Sequence, residues 1–330
     1  MLLIAEFCQN HNGDFDTLRR MIDAAAEGGA THGKIQTIFA DDVSFRPEFE
    51  TGETAPDGRT LTIKRPCQAE MDRLRPLELS YEQHRKFGDA CNSAGIAPLT
   101  TAFNLSTVPF IRELGWKAIK IASYDCGSLP LIQAVADNFS EVIVSTGATY
   151  DEEIAAAAAA LNERKKSFSL LHCVTIYPTP LNEMNLARME YLRQFTPSVG
   201  LSDHSLVARD GVKAALAAIH LGASVIERHF TILPPEASRD GKVSVTKEHL
   251  RQINDFAGLS KADQAQYLKE NVPEFASMIG AARRELSHDE LLNRAYYRGR
   301  FSNKIAGRQI FNWERDAALA LSPVTSLAGE

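Results

Sequence analysis

The 330-residue chain has no apolar run approaching the roughly 18 residues of a membrane span, so no bilayer-spanning helix is expected. Its five cysteines, Cys8, Cys67, Cys91, Cys126 and Cys173, show neither CxxC nor zinc-finger spacing. No secretory signal precedes Met1-Leu-Leu-Ile. A reduced, cytoplasmic setting is therefore the expectation. An excess of one charge sign is also lacking, since 36 Lys+Arg against 42 Asp+Glu leave a net charge of −6. That balance offers nucleic acid no global attraction, and any anion must be held by locally placed positive charge.

What the sequence does have is alternation. Short β-like runs occupy residues 2–7, 32–37, 96–102, 118–123, 141–146, 168–173, 198–203 and 224–230. Amphipathic or Ala-rich segments lie between them. In DTLRRMIDAAAEGGA, Leu18, Met21, Ile22 and Ala25 recur at helical spacing and the glycines end the pattern. In TYDEEIAAAAAALNERKK, Thr149 and Glu152 have the spacing of a capping box, acids lead and bases close. Eight such alternations predict an α/β fold, a (β/α)8 TIM barrel, which takes about 250 residues. A doubly wound open sheet is the chief competitor, but it usually stops at about five or six strands.

The barrel is expected over residues 1–285. Residues 41–78 read as a long polar insertion after the second strand, with TGETAPDGRT as an exposed loop. Residues 286–330, which include LLNRAYYRGRFSNKIAGRQIFNWERD, read as a short C-terminal packing arm, too short for a substantial domain of its own. A charged solvated tail is the alternative.

Active sites of barrel enzymes sit at the C-terminal ends of the strands, and the polar residues of this chain collect there. The first strand ends in Glu6, the second carries Lys34 and Gln36, the third ends near Thr101, and the fourth carries Lys120 and Ser123. The fifth ends in Ser145-Thr146, the sixth in His172 with Thr175 and Tyr177 beyond it, the seventh in Ser202 and His204, the eighth in Glu227 and His229. Strands seven and eight are neighbours, which sets His204 beside His229, near enough to share one divalent ion. Two histidines are a sparse ligand set, to be completed by other donors, water or substrate. His172 lies inside its strand end and reads as a satisfied core histidine. Lys34 and Lys120, in mid-strand, are costly to bury without an anion. With the hydroxyls of Ser123, Ser145 and Ser202 they make a cradle for a phosphate or carboxylate. A structural ion pair is the alternative for each lysine taken singly.

The runs IAEFCQNHNGD, KIQT, KIAS, VIVSTG, LLHCVTIYPTP, GLSDHS and SVIERHF, in order from about residue 3 to residue 240, resemble the successive signatures of the sialic acid synthase family, phosphoenolpyruvate-dependent synthases of nonulosonic acids. The resemblance implies condensation of phosphoenolpyruvate with the open-chain aldehyde of an N-acylated hexosamine, with phosphate released by C–O cleavage. It also implies a divalent ion, Mn2+ with Mg2+ or Co2+ as alternatives, and a homodimer. Carried onto this sequence, it makes His204 and His229 metal ligands and Lys34, Thr101, Lys120, Ser123, Ser145 and Ser202 the phosphoenolpyruvate site. Gln36, Tyr177 and Asp240 become sugar contacts, and Glu6 the group that handles the attacking water.

The departures from the family pattern are specific. Where the family has Ser-Gly-Glu, this chain reads Ser123-Tyr124-Asp125, which leaves Asp125 as a catalytic carboxylate one methylene shorter. Thr175, counted among the substrate contacts, stands where asparagine is frequent. A full antifreeze-like domain is not expected in 286–330, but NRAYYRGRF resembles the start of that region, which makes the arm a packing arm or a remnant of it and Arg298 or Arg300 the candidate for the arginine that this domain lends to a partner's sugar site. These changes fall on the sugar side of the site, and phosphoenolpyruvate is accordingly better supported than any one acceptor. Two other readings use the same residues: a metal-dependent aldolase or lyase that turns over without phosphate release, and a non-catalytic barrel whose aromatic tail is a contact surface.

Overall fold

A computed structural model describes residues 1–317. Eight parallel strands close into one barrel: β1 Leu2–Cys8, β2 His32–Thr37, β3 Ala97–Ala102, β4 Ala118–Ile121, β5 Glu141–Ser145, β6 Ser167–Cys173, β7 Val199–Asp203 and β8 Val225–His229. Neighbours in the chain are neighbours in the sheet, and β8 returns to pair with β1. Each expected run forms a strand, with ends displaced by at most two residues.

Side chains alternate across a strand, and this barrel uses both sides of the alternation. Outward-facing Leu3, Ala5, Phe7, Ile119, Ile121, Val142 and Val144 belong to the large core shared with the helices. Ile4, Leu99, Ala118, Ile143, Leu171 and Val225 form a separate apolar cluster. Two residues further along the same strands stand Glu6, Thr101, Lys120, Ser145, Cys173 and Glu227. The barrel therefore carries an apolar plug with a polar floor one pleat above it, toward the C-terminal ends.

The first helix, Phe15–Glu27, buries Leu18, Met21, Ile22 and Ala25, as its spacing predicts. Each fully buried Leu, Met or Ile of this kind contributes about 1.5–3 kcal/mol. The Asp14 carboxylate caps it by accepting the N–H groups of Asp16 and Thr17. The Ala-rich helix, Asp151–Glu163, begins one residue later than the capping-box spacing predicts. Glu153 accepts the N–H of Tyr150 at 3.0 Å, while Thr149 is buried and donates to the carbonyls of Ser123 and Gly147. Arg164, Lys165 and Lys166 follow the last turn rather than forming it.

The insertion is more ordered than a polar loop. It holds helices Pro47–Thr51 and Cys67–Leu74 and a small antiparallel hairpin, Glu53–Thr54 against Thr60–Thr62. The hairpin turn is set by Ala55 N–H donating to the Arg59 carbonyl at 2.8 Å and by the Asp57 carboxylate accepting the Arg59 N–H at 2.9 Å. Its first strand is exposed, as expected of TGETAPDGRT, and its second is half-buried at Thr60 and Thr62.

The arm lies across the barrel mouth; its residues 318–330 fall outside the described residues. Its helix, His288–Tyr297, is capped by Ser287 with Glu290. Asn293 donates to the Thr175 carbonyl at 2.8 Å, and Arg294 donates to the Ala148 carbonyl at 2.6 Å. Phe301 bridges to Val43 of the insertion, and Asn312 donates to Asp125 Oδ1 at 3.0 Å. The described part of the arm is thus a cover on the strand ends, not a solvated tail.

Candidate active site

A cavity of about 430 Å3 opens at the C-terminal mouth of the barrel, and every predicted site residue except Thr175 and Arg298 lines it. Thr175 is a correction. It is fully buried behind the wall, where its methyl meets the position a Gly147 Cβ would take, 2.6 Å away. Only because residue 147 is glycine can the chain after β5 approach so closely. Its N–H then donates to Ser123 Oγ at 3.1 Å and holds that hydroxyl in place.

The floor is a chain of buried charges. Lys34 Nζ pairs with Glu6, lies 3.2 Å from Glu227 Oε2 and donates to Thr101 Oγ1 at 3.3 Å. Lys120 Nζ donates to Ser145 Oγ at 2.6 Å and lies 3.5 Å from Glu227 Oε1, which also accepts from Ser202 Oγ at 2.9 Å. Burial disfavours the Lys34 ammonium, but the Glu227 and Glu6 carboxylates more than offset it and raise its pKa. Lys120 goes the other way: burial outweighs the attraction of Glu227, Lys34 repels it, and its pKa falls. Burial also works against the Glu227 carboxylate, yet Lys120 and Lys34 hold it far below the usual range. Glu227 is the ion-pair partner of both lysines; its sequence position, two residues before His229 on the same face of one strand, set it at the mouth but carried no sign of that role.

The stretch Ser202-Asp203-His204-Ser205 serves two sides of the sheet. Ser202 and His204 face the cavity. Asp203 faces away and pairs with the fully buried Arg228, whose guanidinium also donates to Ser205 Oγ at 3.1 Å and the Val243 carbonyl at 3.2 Å. This brace ties β7 to β8 directly beneath the histidines. The His204 and His229 rings meet edge to face with centroids 5.1 Å apart, and the Tyr177 ring lies 4.2 Å from that of His204. Burial, with His229 adding to it, holds His204 well below its usual pKa, in the neutral form that binds metals. His229 Nδ1 is buried without a hydrogen-bond partner and lies 3.8 Å from Asp240 Oδ2. A neutral imidazole beside an unsatisfied one fits a divalent cation. Cys8, His229 and Asp240 each offer a ligand atom, all within 4.8 Å of one another. His172, by contrast, bonds the Met184 carbonyl at 2.6 Å, and burial pushes its pKa down to about 4. It is the satisfied core histidine expected.

Asp125 forms part of the wall. Burial raises its pKa to about 7 against hydrogen bonds from Asn312 and Ser128. The adjoining Tyr124 stacks on Tyr297 of the arm at 5.0 Å. Arg300 reaches the cavity, whereas Arg298 turns to Glu153 at 3.2 Å. Arg65, Arg73 and Arg239 join Arg300 at the lining, with Glu70 paired to both Arg73 and Arg300. Arg65 and Arg239 come from irregular segments and Arg73 from a short helix of the insertion, so no strand-end pattern in the sequence marks these three.

Residues 21–266 match the NeuB family. The chain is 33% identical over 260 residues to an N,N'-diacetyllegionaminic acid synthase of Campylobacter jejuni, covering 76% of this chain and 74% of that protein. It is 30% identical over 335 residues to a synthase of the same name from Legionella pneumophila, covering 99% and 86%. A pseudaminic acid synthase of Campylobacter jejuni is 28% identical over 95% of this chain and 85% of its own. Among solved structures, the N-acetylneuraminic acid (sialic acid) synthetase of Leptospira borgpetersenii superposes with a TM-score of 0.65 at 25% identity, over 89% of this chain and 90% of that one. A (β/α)8 barrel with this strand-end site and these relatives belongs to the NeuB family of sialic acid synthases.

Proposed function

We propose that this protein condenses phosphoenolpyruvate with the open-chain aldehyde of an N-acylated hexosamine-type sugar, forming a sialic-acid-like acid and releasing phosphate. The observation that carries the reading is the pair of buried lysines, Lys34 and Lys120, set among hydroxyls on the floor, with two metal-ready histidines on the rim above. An entering phosphate or carboxylate takes over the compensation that Glu227 now gives Lys120, the less well matched of the two. Thr101, Ser123, Ser145 and Ser202 supply the neutral donors around it.

His204 and His229 would hold the divalent ion, Mn2+ or a similar one, which supplies Lewis-acid polarisation of the aldehyde oxygen. The remaining work falls to the chain. Gln36, Tyr177 and Asp240 orient the acceptor from the cavity wall. The methylene carbon of phosphoenolpyruvate bonds to the aldehyde carbon, whose oxygen takes up a proton to become a hydroxyl. Water adds to the phosphate-bearing carbon, and the C–O bond to phosphate breaks as that carbon becomes the new ketone and its hydroxyl proton is released. Glu6, held beside Lys34 and by the Cys8 N–H at 2.6 Å, takes the proton of that water. Asp125, with its pKa near neutrality, is the second carboxyl able to move a proton in the wall.

Phosphate release from phosphoenolpyruvate, with and without Mn2+, across N-acylated hexosamines and their 6-phosphates tests the reading. Metal-dependent release with an acceptor is the expected result. Turnover without phosphate release, or a protein that binds neither phosphoenolpyruvate nor Mn2+, overturns it.

A further inference from the structure

We propose that the Cys8 thiolate is itself a ligand of the divalent ion, completing a set with His229 and Asp240 beside His204, and that the site consequently prefers a borderline-soft ion such as Zn2+, Co2+ or Fe2+ to Mn2+ or Mg2+. This rests on the reading that the histidine pair holds an ion. It goes beyond that reading in naming a sulfur donor and the class of metal it selects, because thiolate favours softer ions while carboxylate and water alone suit Mn2+ and Mg2+.

Three independent observations converge on Cys8. First, its Sγ shares one pocket with His229 and Asp240, all ligand atoms lying within 4.8 Å of one another, and Sγ is 3.0 Å from Asp240 Oδ2. Second, the imidazole in that cluster has a buried nitrogen with no protein partner, so the cluster is unsatisfied as it stands. Third, the backbone is distorted at this residue. The pairing of β1 with β2 slips between Glu6 and Cys8, and Cys8 adopts φ 49°, a left-handed conformation unfavourable for a side chain with a Cβ. Bulges at barrel rims re-aim side chains toward active sites, and strained residues of this kind cluster there. Cys8 is a free thiol, so no disulfide accounts for its placement. On metal binding the Sγ–H bond is replaced by an Sγ–metal bond, and the proton leaves to solvent past Asp240, which already accepts the thiol hydrogen bond.

The test loads the full chain with Co2+ and reads the sulfur-to-cobalt charge-transfer absorption in the near ultraviolet, alongside competition titrations of Zn2+ and Mn2+. The wild type is expected to show the band. Cys8→Ser and Cys8→Gly are expected to lose it, with Zn2+ affinity falling at least about tenfold, the lower end of the cost of removing even an outer partner of a metal site. Mn2+ affinity should move far less. The glycine variant guards against misfolding, since φ 49° suits glycine. Co2+ binding to the wild type without the band overturns the proposal but leaves the metal of the proposed reaction standing. A band that survives in both Cys8 variants and disappears in Cys173→Ser also overturns it, assigning the sulfur to Cys173, whose Sγ lies 3.7 Å from His204 Nδ1. A wild type that binds no divalent ion removes both the ligand and the ion.

Discussion

Glu227 lies 3.2 Å from Lys34 on the floor of the barrel, with both side chains buried. Its other oxygen lies 3.5 Å from Lys120, so one carboxylate holds two ammonium groups that would otherwise repel. Glu227→Gln is expected to cost about 3 kcal/mol in denaturant unfolding, the low end for breaking a buried pair, because Lys34 keeps Glu6. Inorganic phosphate should stabilise this variant more than the wild type, since the anion then replaces a missing charge. Equal phosphate effects in the two proteins would show that the lysines do not face the ligand.

Lys120→Met separates binding from stability. Burial already lowers the Lys120 pKa, and Glu227 loses Lys120 but retains Lys34, so the variant should lose less stability than Glu227→Gln, under about 3 kcal/mol. Phosphoenolpyruvate affinity, measured by calorimetry, should fall about 10- to 100-fold, equivalent to one charge-assisted hydrogen bond of about 1.5–3 kcal/mol. Retained affinity would remove Lys120 from the anion site.

Asp125 sets a pH dependence of unusual sign. Burial raises its folded pKa to about 7, so the folded state binds this proton more tightly than the unfolded chain, whose value is near 4. Stability is therefore lost as pH rises from about 4 to about 7, and the penalty is complete above that window. Asp125→Asn keeps an oxygen for Asn312 and Ser128 and removes the titration. The melting temperature of the variant minus that of the wild type should be smallest near pH 4 and grow steadily more positive toward pH 8. A difference independent of pH would place the carboxyl in contact with water or with an unrecognised cation.

The barrel and most of its site were legible because both are written at short range. Apolar alternation marks a strand, and the polar residue closing it marks the mouth, as Lys120 and Ser145 show. Thr175 was misplaced because two residues beyond a strand end the chain turns, and Gly147 draws it behind the wall. Thr149 and Glu152 had the spacing of a cap, but the buried carbonyls of Ser123 and Gly147 competed for the Thr149 hydroxyl and won. Arg65, Arg73 and Arg239 carry no periodicity, and only the folding of the insertion and the loop after β8 brings them to the cavity with Arg300. The arm's docking was likewise illegible, since Asn312 and Asp125 are 187 residues apart.

Arg294 fastens the arm. Its guanidinium is largely buried, donates to the Ala148 carbonyl at 2.6 Å and pairs with Glu153 at 2.6 Å, joining the arm helix to the loop after β5. Arg294→Met keeps most of the packing volume and deletes both contacts. Arg298, 3.2 Å from the same carboxylate, remains to compensate Glu153, so the cost should be about 2 kcal/mol, within the range for a hydrogen bond involving a charged group. The loss should be local, because the arm helix can lift while the barrel stays closed. Limited trypsin digestion is therefore expected to cut between Arg298 and Arg308 sooner in the variant, at temperatures where the barrel still resists. The arm places Tyr297 and Arg300 at the cavity, away from the lysines on the floor, so lifting it should raise KM for the acceptor more than KM for phosphoenolpyruvate. Equal rises in the two constants, with unchanged digestion, would mean that the arm is held by other contacts and does not shape the acceptor's side of the site.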